Sequence, residues 1–267
     1  MLNEITNFRC IFYVILLFSV LKFQAQTKIE RINTLIEQDS LNQAESIIES
    51  DVEELKENKN YHELVYYIFP LGKINIIRDN FNKAKSDSND LLLYIEKSTS
   101  NSETLHLANI EFSKLCLDIG NLPEAYNYGE KAKAHALKYN DATSLLNSAY
   151  YLADYGMKLG QVELLDTHIR KADSIIVNNP NSRFKITARV YNLFGALMFF
   201  TSKQDSAIYY FEKALKHIPN LEQNEENKLY LPSAIKGNMS LIKLNQGKPT
   251  EAKFLIQSSI QLAKKFL

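Results

Sequence analysis

The groups in this chain that could carry chemistry are scattered. His62, His106, His135, His168 and His217 fall in different segments, and none has a second ligand four residues away. A metal site of the HExxH kind needs that spacing, because it puts two imidazoles on one helix face. Each histidine therefore reads as a surface or boundary residue. Of the two cysteines, Cys10 lies in a segment expected to be removed. That leaves Cys116, which in an apolar helical pattern reads as a buried small hydrophobe rather than a nucleophile. The glycines are isolated, and none stands in a GxxxxGK or GxGxxG context, so no phosphate-cradling loop is expected. Gly156 and Gly160 form a GxxxG, which in an amphipathic helix reads as close helix packing. GxSxG, CxxC and an EF-hand loop are also missing. The pairs Glu53-Glu54 and Glu225-Glu226 read as solvated faces or loops. The expectation is a protein that is not an enzyme and uses no metal or cofactor.

The elements that would position any site are helical. The chain has 267 residues with only 8 Gly and 6 Pro, too little punctuation for a sheet that must turn every ten residues or so. A hydrophobic fraction of 45% with 23% charged residues is that of an ordinary folded domain. The 31 basic and 31 acidic residues cancel, so there is no net electrostatic footprint for nucleic acid or an anionic membrane.

Residues 1–26 read as a targeting segment. Cys10 to Leu21 is apolar apart from Ser19, follows Arg9 and closes at Lys22. Twelve residues are too few to cross a hydrocarbon core, which needs about 20. The run fits the apolar region of a secretory signal peptide, with Ala25 the best residue to precede cleavage. An uncleaved signal anchor is the alternative, and the only route to membrane attachment. Either way residues 27–267, the expected helical domain, would lie outside the cytoplasm, periplasmic or secreted.

Within residues 27–267 a marker recurs. DSLNQA ends at Ala44, DNFNKA at Ala84, GNLPEA at Ala125, GQVELL at Leu165, SKQDSA at Ala207 and GKPTEA at Ala252, spacings of 40 to 45 residues. Apolar residues at three- and four-residue intervals flank each marker on both sides, as in Leu64, Ile68, Leu71 and Ile74 or Ala207, Tyr210, Phe211 and Ala214. A period near 40 with two amphipathic helices per unit predicts an all-α solenoid of about six helix pairs, the first short and capping. Gly120, Gly160 and Gly247 stand where first helices end, a place that favours positive φ, and Asp39, Asp79 and Ser202 hold it elsewhere. Pro123 and Pro249 open second helices. Pro70 and Pro232 predict a kink or late start in two first helices, and 221–227 predicts a longer acidic loop.

Tyr191, Gly195, Ala207, Phe211, Ala214 and Pro219 resemble the consensus of the tetratricopeptide repeat family. Gly72 with Ala84, Ser113 with Ala125 and Ala132, and Ala153 with Ala172 resemble it more weakly. The resemblance covers roughly residues 27–267 and implies a right-handed superhelix of stacked antiparallel helix pairs. The repeat exceeds the family's 34 residues, as in the long-helix variety found in bacterial sensory and regulatory proteins. The resemblance also implies a protein- or peptide-binding face lined by the first helix of each pair. Mapped onto this chain, that lining holds Tyr66, Phe69, Lys73 and Ile76, then Leu107, Ile110, Lys114 and Leu117. Asn147, Tyr150, Asp154 and Met157 follow, then Arg189, Asn192, Ala196 and Phe199. The co-chaperone carboxylate clamp is not reproduced. An apolar and aromatic lining with scattered Lys and Arg suits an amphipathic helix or an apolar peptide with acidic flanks. The competing account is that these residues only pack within the stack.

Two functions fit: an exported, non-catalytic scaffold that binds a protein or peptide, or the extracytoplasmic sensory region of a signalling protein. Ala263, Phe266 and Leu267 would be uncovered at the last helix, which predicts that a partner, another copy of the chain or a further segment of a longer architecture covers them.

Overall fold

The computed structural model describes residues 28–221 and 226–266, and every regular element among them is helical. The targeting segment expected at 1–26, residues 222–225 of the acidic loop and Leu267 lie outside the described residues. The first helix, α1, covers 28–37. It is followed by α2 (Leu41–Glu57), α3 (Tyr61–Leu64), α4 (Ile68–Ile77), α5 (Phe81–Ser98), α6 (Ser102–Asp118) and α7 (Leu122–Tyr139). Then come α8 (Ala142–Lys158), α9 (Val162–Asn178), α10 (Thr187–Phe200), α11 (Gln204–His217), α12 (Leu231–Asn245) and α13 (Pro249–Phe266). Among the described residues no helix is long and apolar enough to cross a membrane.

Local chemistry sets the boundaries. Asn60, Asn80, Asn101 and Asp141 accept a hydrogen bond from the backbone N–H three residues on, satisfying a donor that the first helical turn leaves open. First helices end in one recurring way. Asp39, Asp79, Gly120, Gly160, Ser202 and Gly247 all have φ between 57° and 79°. In each case the next residue's N–H reaches back five residues to a carbonyl at 2.8–2.9 Å, as in Asn121 to Cys116 and Lys203 to Met198. This is the left-handed C-cap of the Schellman motif, repeated six times, and it turns each chain segment into its second helix. A Cβ at Gly120, Gly160 or Gly247 would meet nothing within 4 Å, so these glycines serve φ and not close packing.

The two interrupted helices follow from proline. Pro70 has no N–H for the Tyr66 carbonyl, and the helix tightens to 3-10 over Val65–Tyr67 before α4. Before Pro232, residues Glu226–Tyr230 form a π turn that runs into α12. Glu226 and Asn227, expected in a loop, therefore belong to a helical turn.

The chain divides into two compact units within α7, one up to Tyr128 and one from Gly129. In the first, α4 packs on α5 and both pack on α6. Asp51, 7% exposed, is held there by the Lys28 ammonium and the Tyr67 hydroxyl, each at 2.9 Å. In the second, each helix from α8 to α13 packs on its sequence neighbour, and α8, α10 and α12 also touch one another in chain order.

All six marker residues, Ala44, Ala84, Ala125, Leu165, Ala207 and Ala252, are buried. Twelve residues before them, Gly72, Ser113, Ala153, Gly195 and Ser240 are buried too. Ser113 and Ser240 donate hydrogen bonds to the carbonyls of Ala125 and Ala252, fastening first helix to second. A Cβ at Gly195 would lie 2.6 Å from the Phe211 ring, so the missing side chain is filled by that phenyl. Phe211 is fully enclosed, worth about 1.5–3 kcal/mol by area removed from water.

Candidate partner-binding face

The lining residues recur at fixed offsets from the marker because one helical face repeats at intervals of three and four residues. Eight residues before the six markers stand Ile36, Ile76, Leu117, Met157, Phe199 and Leu244, apolar every time. Eleven before the last five stand Lys73, Lys114, Asp154, Ala196 and Leu241. Of the residues assigned to this face from sequence, all but Ile110 are at least partly exposed, while neighbours such as Leu64, Ile68, Leu115, Leu152 and Leu197 are enclosed. The face is distinct from the core, and Ile110 belongs to the core instead.

In the first unit the face holds Tyr66, Phe69, Lys73, Ile76 and Lys114. Tyr66 is exposed, and its phenol is pushed up mainly by partial burial, then by Glu111, Glu103 and Glu63. Two ammonium groups converge on the half-buried Phe69 ring, Lys114 Nζ at 5.3 Å from its centroid and Lys73 Nζ at 5.9 Å. Both lysines also have carboxylate partners: Lys73 pairs with Asp118 at 3.0 Å and Lys114 with Glu111 at 2.9 Å. The two charges are balanced locally, so this part of the face does not select acidic flanks by net charge. What remains distinctive is an aromatic floor, Tyr66 and Phe69, with ion pairs along its edge.

In the second unit Tyr150, Asp154 and Met157 come from α8 and Arg189, Asn192 and Phe199 from α10. Arg189 hydrogen-bonds the Tyr150 hydroxyl and donates from Nη2 to Asn227 Oδ1 at 2.9 Å. Asn227 is buried in the π turn. Burial pushes the Tyr150 phenol up, so it stays protonated throughout the physiological range. Asp154 pairs with Lys158 at 2.8 Å, and Asn192 Oδ1 is enclosed without a hydrogen-bond partner. On α10 Arg189 and Asn192 thus lie toward the N-terminus and Phe199 toward the C-terminus, while on α8 Asp154 stands beside Met157 near the C-terminus. Residues 189 and 199 are about 15 Å apart along the axis at 1.5 Å per residue.

The structure adds two residues to the face. Leu241 and Leu244 on α12 are 51% and 57% exposed and extend the row of Met157 and Phe199. Their unit keeps the small residues Ser240 and Ala252 but has Lys236 and Ile256 where the family's aromatics stand, so the resemblance is weak there. Counting back eleven and eight from Ala252 does.

The histidines, Cys116 and the two glycines of the GxxxG have structural places. Among the described residues no three His, Cys, Asp or Glu side chains could hold a metal. Cys116 is fully enclosed, and burial pushes its thiol up to about 12, which makes it a poor nucleophile. His106 and His168 are buried rather than at the surface or boundary. Burial, then Lys133, lowers the His168 pKa despite Glu130 at 3.9 Å. Gly160 is a C-cap and not a packing glycine; only Gly156 of the GxxxG is.

Solved structures share this arrangement. BtubC from P. vanneervenii superposes with a TM-score of 0.71 at 18% identity, over 84% of this chain and 91% of its own. The TPR-like repeats of a Podosopora anserina kinesin light chain match at 0.55 and 15% identity, over 78% and 95%. This is a tetratricopeptide-type helical repeat fold. Another TPR-type neighbour by structure is a Rap protein complexed with competence and sporulation factor, at 0.57 and 17% identity, over 91% of this chain and 66% of its own. No protein-family model matches the sequence, and no curated protein is detectably similar.

Proposed function

We propose that this chain is an exported, non-catalytic scaffold that binds a protein or peptide on the first-helix face of its repeats. The observation that carries the reading is the row eight residues before each marker. Ile76, Leu117, Met157, Phe199 and Leu244 keep it apolar in five successive pairs. All five stay at least partly exposed, although enclosed side chains lie within one turn. Within each unit, apolar groups kept out of the core but repeated on its first helices suit the side chains of an amphipathic helix or an extended apolar peptide. The ligand's polar groups would face Tyr150, Arg189 and Asn192, and its apolar ones Met157, Phe199 and Leu244. The fold neighbours that include a Rap protein in complex with competence and sporulation factor support a binding role over a catalytic one.

Export rests on the leader-like pattern of residues 1–26, which places the domain in the periplasm or outside the cell. An extracytoplasmic sensory region is the second reading, favoured by the likeness to the quorum sensor NprR from B. thuringiensis, TM-score 0.59 at 15% identity. Self-association is supported by the apolar side chains that α13 leaves exposed, Phe254, Ile256, Ile260 and Phe266.

The test is selection of a displayed random-peptide library on the purified chain, repeated with Phe69→Asp and Phe199→Asp. Enriched peptides should be rich in Leu, Ile and Phe. Each should lose at least tenfold in affinity to one of the two variants, with helicity unchanged. Peptides that bind both variants as well as the wild type would remove this face from consideration.

A further inference from the structure

The net charge of zero conceals a segregation. The stretch 28–57, which is α1 and α2, carries nine acidic and three basic residues. The stretch 227–266, which includes α12 and α13, carries seven basic and one acidic. Residues 58–226 between them are balanced, with 19 basic and 20 acidic. The first and last repeats in the sequence thus each carry a charge of six, opposite in sign.

Both extremes hold that charge in exposed stripes. On α2, Glu49, Glu53 and Glu57 stand at successive four-residue intervals, all exposed, and none has an ion-pair partner among the described residues. Like charges so spaced repel one another along the helix. On α13, Lys253, Ile256, Ile260 and Lys264 share one face by the spacing of three and four. Lys253 and Lys264 likewise have no ion-pair partner among the described residues. Between them Ile256 and Ile260 are 40% and 47% exposed. The residues at the place of Ile256 in α9 and α11, Ile169 and Phe211, are fully enclosed. At α13 an apolar position of the repeat stack is therefore open and is bracketed by lysines.

We infer that the occupant of this face is a second copy of the chain, docked head to tail: the Lys253–Ile256–Ile260–Lys264 stripe of one copy against α1 and α2 of the next. The complement is in place there. The half-buried Ile29 and Ile36 offer apolar contact, and Glu37, Glu49, Glu53 and Glu57 offer charge. A second helix meeting a first helix is also how successive pairs stack within the second unit, where α9 packs on α10 and α11 on α12. The contact joins two different surfaces, so it is heterologous and propagates into strings unless the rotation closes a ring. It takes up Ile36, eight residues before Ala44, but none of Ile76, Leu117, Met157, Phe199 and Leu244, so variants at those five separate it from the binding function. Exposed charges carry part of the attraction, and salt screens them over about 8–10 Å at ordinary ionic strength.

The experiment is sedimentation velocity on the purified chain at low and high salt, with two charge-only variants, E49K/E53K and K253E/K264E. At low salt the wild type should show an average mass at least twice that of one chain, falling toward the single chain at high salt. Each variant alone should be a single chain, because its reversed stripe then meets like charges in the partner stripe. Mixing the two should restore assembly, since every contact in the mixture again joins opposite charges. A wild type that stays a single chain at low salt overturns the inference. So does a mixture that fails to assemble, or E49K/E53K associating like the wild type, which would mean contact between two α13 faces.

Discussion

A Cβ placed on Gly156 would lie 2.7 Å from the backbone nitrogen of Leu165 and 3.1 Å from its Cα. The backbones of α8 and α9 meet there, at the one marker position that carries a large residue instead of alanine. The missing side chain of Gly156 lets the backbone of α9 come this close, and the Leu165 side chain is itself enclosed. A backbone cannot yield as a side-chain tip can, so Gly156→Ala forces α8 and α9 apart. We expect a loss of about 1–3 kcal/mol, outweighing the roughly 1 kcal/mol that alanine gains in helix propensity. Calorimetry should show it as a drop of several degrees at about 2–4 °C per kcal/mol.

The six C-caps give a paired prediction of opposite sign. Ser202 has φ 60° and Gly160 has φ 68°, both in the left-handed region that costs an L residue about 1–2 kcal/mol. Ser202→Gly should raise stability by about 0.5–1 kcal/mol, and Gly160→Ala should lower it by about 1 kcal/mol. Space is not the cause at Gly160, where a Cβ meets nothing. Urea melts of the two variants against the wild type check both signs.

Asp173 sets a pH dependence. Its Oδ1 is enclosed without a hydrogen-bond partner, and burial raises its pKa, offset in part by Lys213 and Arg170. The folded chain therefore holds a proton that the unfolded chain releases near pH 3.9. Between that value and the raised folded one, stability falls as pH rises, and above it the cost is constant. Asp173→Asn should melt higher than the wild type at pH 7. The difference should vanish below about pH 4, where both states of the wild type are protonated. A difference in melting temperature that does not change between pH 7 and pH 4 would mean that Asp173 is not strained by its charge.

The architecture was legible because each helix pair needs the same few things at the same places. Ala207, Phe211 and Gly195 satisfy one packing contact, and Asp39, Asp79 and Ser202 could be placed in the left-handed cap by analogy with Gly120. The face was legible only where the resemblance reached. Leu241 and Leu244 escaped because their first helix begins through a π turn and has Lys236 where the family's aromatic stands. The lysines misled for a different reason. Lys73 and Lys114 look like a basic edge in sequence, but their carboxylates Asp118 and Glu111 lie on α6, reached only through the fold in the case of Lys73. Pattern gives which face a side chain takes; it does not give which opposite charge arrives beside it.

The central claim is that the first-helix row, and not the outer face of the second helices, receives the partner. A photo-crosslinking amino acid tests this directly when placed singly at Tyr66, Phe199 or Leu244, and for comparison at the exposed Tyr209 on α11 or Phe254 on α13. The account predicts that peptides selected by the wild-type chain crosslink from the first three positions and not from the other two. Crosslinks confined to Tyr209 and Phe254 would contradict it.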